Sequence, residues 1–203
     1  MFRTAVLSVL CFVPSLLLVD RAEAAKFNRV VDIGQTAPKW DKLPATDDRT
    51  YGLDAFADSK VLVIIFTCNH CPVAKAYEDR ILALQSQHKA ADVRLIGISV
   101  SNYEADLMPE MKKRAAAKKY SFPYLQDATQ KVGKAYGATN TPQVFVLNPQ
   151  RKIAYMGRID DSMHPDKVTE RYLEAAISAV LKGEEPEVTE TKPLGCEIHY
   201  DKE

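Results

Sequence analysis

Apolar residues fall into short blocks separated by polar, helix-spaced stretches. Val61–Phe66 is six apolar residues in a row, with no polar face. That pattern predicts a strand buried on both sides, as in the centre of a covered sheet. Residues 93–100 read as a second buried strand. Between them Ala74, Tyr77, Ile81, Leu84 and His88 recur at helical spacing, and Pro72 suits the first helical turn, where a missing N–H costs little. Residues 101–120 form a charged helical stretch expected to begin near Pro109. Tyr124–Gln126 is short and extended, and residues 128–136 form a short helix with Gly137 as its C-terminal cap. Gln143–Leu147, the turn Asn148-Pro149-Gln150 and residues 152–156 read as a hairpin. An amphipathic helix over residues 165–181 closes the pattern, stopped by Gly183 and Pro186. Residues 26–48 form a polar extended segment, and residues 184–203 a polar tail. Strands alternating with helices, followed by a hairpin and a last helix, predict an α/β fold: a central mixed sheet flanked by helices.

The first residues do not belong to this pattern. Arg3 provides a positive start, residues 5–19 are almost wholly apolar, and Ala22-Glu23-Ala24 fits a small-residue cleavage site, which is the layout of a secretory signal peptide. The apolar run is short for a spanning helix. The expected organisation is a leader over 1–24, one domain over 25–183 and a tail over 184–203, with the product periplasmic or secreted. A membrane tether remains only if the leader stays uncleaved. Lys plus Arg equals Asp plus Glu at 27 each, so no global charge draws the protein to nucleic acid.

Chemistry concentrates in Cys68-Asn69-His70-Cys71, placed where the first buried strand feeds a helix. The spacing allows the two thiols to close a small disulfide. A helix N-terminus offers unpaired N–H groups and partial positive charge, which favour thiolate, the nucleophilic and metal-binding form. Three readings follow: a redox pair, a metal site or an inert structural pair. A second ligand pair at finger-like spacing is absent, which weakens zinc. Of four cysteines, Cys11 falls in the leader. That leaves Cys196 as an odd thiol in an oxidising compartment, a candidate third redox thiol, intermolecular partner or inert residue. His70 between the cysteines would stabilise the Cys68 thiolate if charged, and is otherwise a solvent-facing side chain. Asp160 and Asp161, near His164, offer either a proton acceptor for a resolving cysteine or turn chemistry. Trp40, Tyr51 and Phe56 read as packing residues. The Lys112-Lys113-Arg114 and Lys118-Lys119 clusters read as a solvated helix face.

From Trp40 to about residue 181 the chain resembles the thioredoxin-like superfamily, in its redoxin branch of exported AhpC/TSA- or TlpA-like proteins. Three features carry the resemblance: Cys68-Asn69-His70-Cys71-Pro72 after a strand, Thr141-Pro142 before the strand Gln143–Leu147, and a helical insertion between the second strand and Tyr124. The Gly195-Cys196 tail also looks like one seen in some exported redoxin-like proteins. The resemblance implies a thioredoxin-like fold with an N-terminal extension and a redoxin-type insertion. It further implies that Cys68 attacks and Cys71 resolves, and that a cis Pro142 faces them, leaving the Thr141 backbone free to pair with an extended substrate. The expected activity is thiol–disulfide exchange with exported proteins and a redox partner protein, without cofactor or resident metal. Two alternatives stand beside it. One is a thiol peroxidase, against which Ile65 and Lys60 occupy the places of the Thr or Ser and the Pro of peroxiredoxins. The other is a copper-binding protein resembling the SCO type, with Cys68, Cys71 and His164 or His70 as ligands.

Overall fold

The computed structural model describes residues 25–202, so the expected leader lies outside the described residues. Its centre is a five-stranded mixed sheet. The strands, in chain order, are β3 (Val61–Phe66), β4 (Val93–Ser99), β5 (Tyr124–Gln126), β7 (Gln143–Leu147) and β8 (Ile153–Gly157), arranged β5-β4-β3-β7-β8. β4 lies parallel to β3 with Val63 opposite Leu95, and β7 lies antiparallel to β3 with Ile64 opposite Phe145. Two-residue pairs stand outside it: β1 (Leu43–Pro44) with β2 (Thr50–Tyr51), and β6 (Asn140–Thr141) with β9 (Cys196–Glu197).

Successive side chains of a strand point to opposite faces, so β3 divides its six residues between two cores. Val61, Val63 and Ile65 pack with Tyr77, Ile81 and Leu84 of α1 (Pro72–Gln87) and with Leu173, Ala176 and Ile177 of α4 (Tyr172–Lys182). Leu62, Ile64 and Phe66 pack with Tyr136 of α3 (Lys131–Tyr136) and with Trp40 and Phe56 of the N-terminal segment. Trp40 and Phe56 are therefore packing residues, with Tyr51 stacked on Phe56 at 5.5 Å. No helix among the described residues is long and apolar enough to cross a membrane.

Three expectations change. The closing helix is split: residues 165–167 make one 3-10 turn and α4 begins only at Tyr172. The cause is Asp161, whose carboxylate accepts the Thr169 N–H at 2.9 Å and its hydroxyl, holding the intervening chain out of the helix. The short helix α3 starts at Lys131 rather than 128, because Asp127 accepts the Val132 and Gly133 N–H groups at 2.8 and 3.1 Å and so caps from outside. The basic face of α2 (Met108–Lys118) is not simply solvated. Arg114 forks onto the buried Glu78 of α1, which Tyr120 also reaches at 2.8 Å, so α2 is pinned to α1.

Candidate functional site

The fold ends β3 at Phe66 and starts α1 at Pro72, so Cys68 to Cys71 span the strand-to-helix junction. Cys71 is the N-cap of α1. Its sulfur accepts the Ala74 N–H at 3.3 Å, one of the donors a helix start leaves unpaired. On its other side Cys71 Sγ lies 3.2 Å from the Thr141 carbonyl oxygen, and Cys68 Sγ lies 3.5 Å from Thr141 Oγ1. The Thr141–Pro142 peptide bond is cis. The sequence-predicted residues Cys68, Cys71, Thr141 and Pro142 thus meet in one place, and both thiols are free.

Cys68 and Cys71 differ in access. Cys71 is fully buried, whereas Cys68 lines a pocket of about 180 Å³ together with His70, Tyr103, Thr141, Ile198 and His199. The thiols also share one charge. Cys71 is held well below the ordinary thiol range, first because the Cys68 S–H donates to its thiolate, with further donation from Cys196, Thr141 and Ala74 N–H. Cys68 is pushed far up for the complementary reason, the Cys71 thiolate it serves, then by burial and by the Asp106 carboxylate. The pair gives up its first proton easily and its second with difficulty.

His70 stays beside Cys68, a ring nitrogen within 4.8 Å of the sulfur, but it is also tied to a carboxylate that the sequence reading did not include. Its Nδ1 is bonded to the carboxylate of Asp106, and its ring meets Tyr103 edge-on at 5.0 Å. Asp106 is fully buried. Its Oδ1 accepts the backbone N–H groups of Asn69 and His70 at 2.6 and 3.0 Å, so this one carboxylate clamps the loop between the cysteines. Asn69 completes the clamp: its amide donates to Ala105 O at 2.8 Å and its Oδ1 accepts from Tyr124 OH at 3.2 Å. Asp106 was not singled out from the sequence. It sits in a charged stretch just before α2, where an acidic residue is ordinary helix-start composition.

Other candidates fall elsewhere. Asp160 accepts from Tyr77 OH at 2.8 Å and pairs with Arg80, a structural use of the side chain. His164 is exposed, outside the one group of potential ligand atoms found among the described residues, which is Cys68, His70 and Asp106. In that trio both Asp106 oxygens are already engaged by donors from the loop. The largest departure is at Thr141. Its edge is not open to a substrate strand, because Cys196 of β9 pairs opposite it. Cys196 packs against Cys68, Cys71 and Ala74, so all three described cysteines occupy one cluster.

A CxxC pair at a strand–helix junction, facing a cis proline that opens the next strand of a mixed sheet, defines a thioredoxin-fold protein. Residues 33–156, more than half of the chain, match the AhpC/TSA family model, and the chain belongs to that family. Its structure is similar to that of an uncharacterized conserved protein from Geobacillus kaustophilus, with TM-score 0.79 and 29% identity over 86% of this chain and 95% of that one. It is similar also to a hypothetical protein from Sinorhizobium meliloti 1021, with TM-score 0.77 and 28% identity over 84% and 96%. Peroxidoxin BcpB from Mycobacterium tuberculosis shares the fold, with TM-score 0.58 and 19% identity over 78% and 98%. No curated protein matches the chain.

Proposed function

We propose that the protein is a thiol–disulfide oxidoreductase in which Cys68 attacks and Cys71 resolves. The observation that carries this is the asymmetry of the pair: Cys68 opens to the pocket and Cys71 lies behind it, capping α1. In the reduced state the two sulfurs share one proton that is held tightly after the first is lost easily. Moving that single proton from Cys68 to Cys71 arms the sulfur that lines the pocket, with little charge displaced. Cys68 then attacks one sulfur of a target disulfide, and a mixed disulfide forms as the target's second sulfur leaves as a thiol. Cys71, its proton passed to that departing sulfur, next attacks Cys68 Sγ as thiolate; the target's remaining sulfur leaves and is protonated by water, and the Cys68–Cys71 disulfide closes. Run backwards, the same steps oxidise a dithiol.

With a leader over residues 1–24, the partners are exported proteins and a second redox protein that resets the pair. They reach Cys68 through the pocket between Tyr103 and Ile198, since β9 occupies the edge at Thr141. The reading is tested by turnover of insulin disulfides. Wild type is expected to reduce insulin with a thiol reductant as electron source, and Cys68→Ser to fall to background. Cys71→Ser is expected to stall as a mixed disulfide. Rapid consumption of hydrogen peroxide by a wild type inert toward insulin would replace this reading with a thiol peroxidase.

A further inference from the structure

The chain beyond α4 returns to the site along a fixed path. Glu190 bridges to Met156, and Thr191 Oγ1 lies 2.7 Å from Tyr155 OH. β9 then pairs with β6, and the last residues are tied down. Ile198 N–H donates to Thr139 O at 2.8 Å, Tyr200 OH to Ala138 O at 2.7 Å, and Asp201 N–H to Gln130 Oε1 at 2.7 Å. Cys196 is therefore held in place, not carried on a fraying end.

Gly195 explains how close the approach is. Its φ is +146°, and a Cβ there would fall 2.0 Å from Thr141 O, so a side chain would push the tail off the edge. The Asn140 side chain amide donates to Gly195 O at 3.1 Å from the other side. This places Cys196 opposite Thr141, the residue whose oxygens touch both Cys68 and Cys71. The Cys196 side chain packs against the cluster of Cys68, Cys71 and Ala74.

We infer that Cys196 is a third redox thiol whose exchange partner is Cys71. The inference rests on the reading of Cys68 and Cys71 as an exchange pair. Starting from the Cys68–Cys71 disulfide, Cys196 loses its S–H proton to water and its thiolate attacks Cys71 Sγ. The Cys71–Cys196 bond forms, the Cys68–Cys71 bond breaks, and the electron pair departs on Cys68, which takes up a proton. One disulfide is present before and after, so no outside oxidant is consumed. Burial and the neighbouring Cys71 charge keep the Cys196 thiol protonated in the reduced protein, and the second influence vanishes once Cys71 is in a disulfide. The result frees Cys68 at the pocket while the oxidised bond is kept behind it.

The test is disulfide mapping. Full-length Cys68→Ser is incubated with oxidised glutathione, which is reduced as the link forms, then acid-trapped and analysed by tandem mass spectrometry. A Cys71–Cys196 link is expected as the main oxidised species. Adding Gly195→Ala is expected to slow its formation about tenfold by removing the held geometry. Oxidised wild type at equilibrium is expected to contain both the Cys68–Cys71 and the Cys71–Cys196 links. Glutathione adducts without an internal link in a folded Cys68→Ser protein would overturn the inference. So would a wild type holding only the Cys68–Cys71 link, a result that stands even if the serine variant misfolds. Insulin turnover by wild type separates the two claims. Turnover without a Cys71–Cys196 link defeats only the third thiol, and absence of turnover defeats the exchange pair itself.

Discussion

Two buried aspartates hold loops beside α1, Asp106 at the turn before its first residue and Asp160 against Tyr77 and Arg80 further along it, and they do so with different partners. Asp160 is 3% exposed. It accepts from Tyr77 OH and the Ser162 N–H and pairs with the guanidinium of Arg80, which also donates to the Ser162 and Met163 carbonyls. Asp106 is fully buried and has only two backbone N–H groups and an imidazole. Burying a carboxylate is costly unless it is paired and hydrogen-bonded. At Asp160 a permanent cation answers that cost, and the cluster is electrostatically closed. At Asp106 no permanent cation among the described residues is bonded to the carboxylate, and its charge reaches Cys68, where it opposes a thiolate. Equal burial thus yields a brace in one place and a chemically consequential charge in the other.

The most severe way to break this comparison is to remove the brace. Asp160→Ala leaves Arg80 and Tyr77 without their acceptor inside the protein. A loss of about 3 kcal/mol is expected in denaturant unfolding, the scale for orphaning one partner of a buried ion pair. The alkylation rate of the reduced cysteine pair in the folded protein is expected to stay unchanged. A variant of wild-type stability would show that Asp160 is not the brace described.

Asp106→Asn acts in the other direction. The amide oxygen can still accept the Asn69 and His70 N–H groups, so the stability cost is expected near 1–2 kcal/mol, in the range of a weakened charge-assisted hydrogen bond. The effect on chemistry is expected to exceed that at Asp160. Without the opposing charge, the Cys68 thiolate becomes easier to form, and iodoacetamide should modify Cys68 faster at a fixed neutral pH. Equal alkylation rates in Asp106→Asn and wild type would mean that the clamp positions the loop without tuning the thiol.

How far such a site is legible in sequence depends on the range of the contacts that make it. β3 and β7 coincide with their apolar runs, since a strand buried on both faces leaves a local signature. The CxxC junction and Thr141-Pro142 were readable because each is a short motif joined to such a strand. Asp106 was not readable in its actual role. It acts on the Asn69 and His70 N–H groups that the fold brings to it, a contact that leaves no periodic trace, whereas the turn chemistry offered for Asp161 is what its bonds to Thr169 provide. Cys196 stands between these cases. Its odd number flagged it, but its place opposite Thr141 depends on a return path fixed by Thr191, Gly195 and the Gln130 side chain. The free substrate edge expected at Thr141 failed for that reason.

The smallest expected effect is in the pH dependence of the reduced protein, and it sharpens the contrast between the aspartates. Cys71 has a folded-state value pushed down to about 4 from an ordinary value of 9.0, chiefly by the Cys68 S–H. A group with a depressed folded value contributes stability that is present above its unfolded value and is lost as pH falls through the folded one. Cys68 is raised, so above about pH 9 it ionises in the unfolded chain before it does in the folded one and works against the folded dithiol. The Cys68–Cys71 disulfide form has neither thiol to titrate. The stability of the reduced form relative to the oxidised form is therefore expected to climb from acid pH, peak near the ordinary thiol value and decline beyond it. Denaturant unfolding of both redox states across pH would trace that curve. Replacing Asp160 by Asn should leave its shape intact while lowering both states together. Replacing Asp106 by Asn should soften the alkaline decline, because the Cys68 thiolate is then opposed less. A curve with the same alkaline limb in both variants would show that the Asp106 charge is screened from Cys68 despite the burial they share.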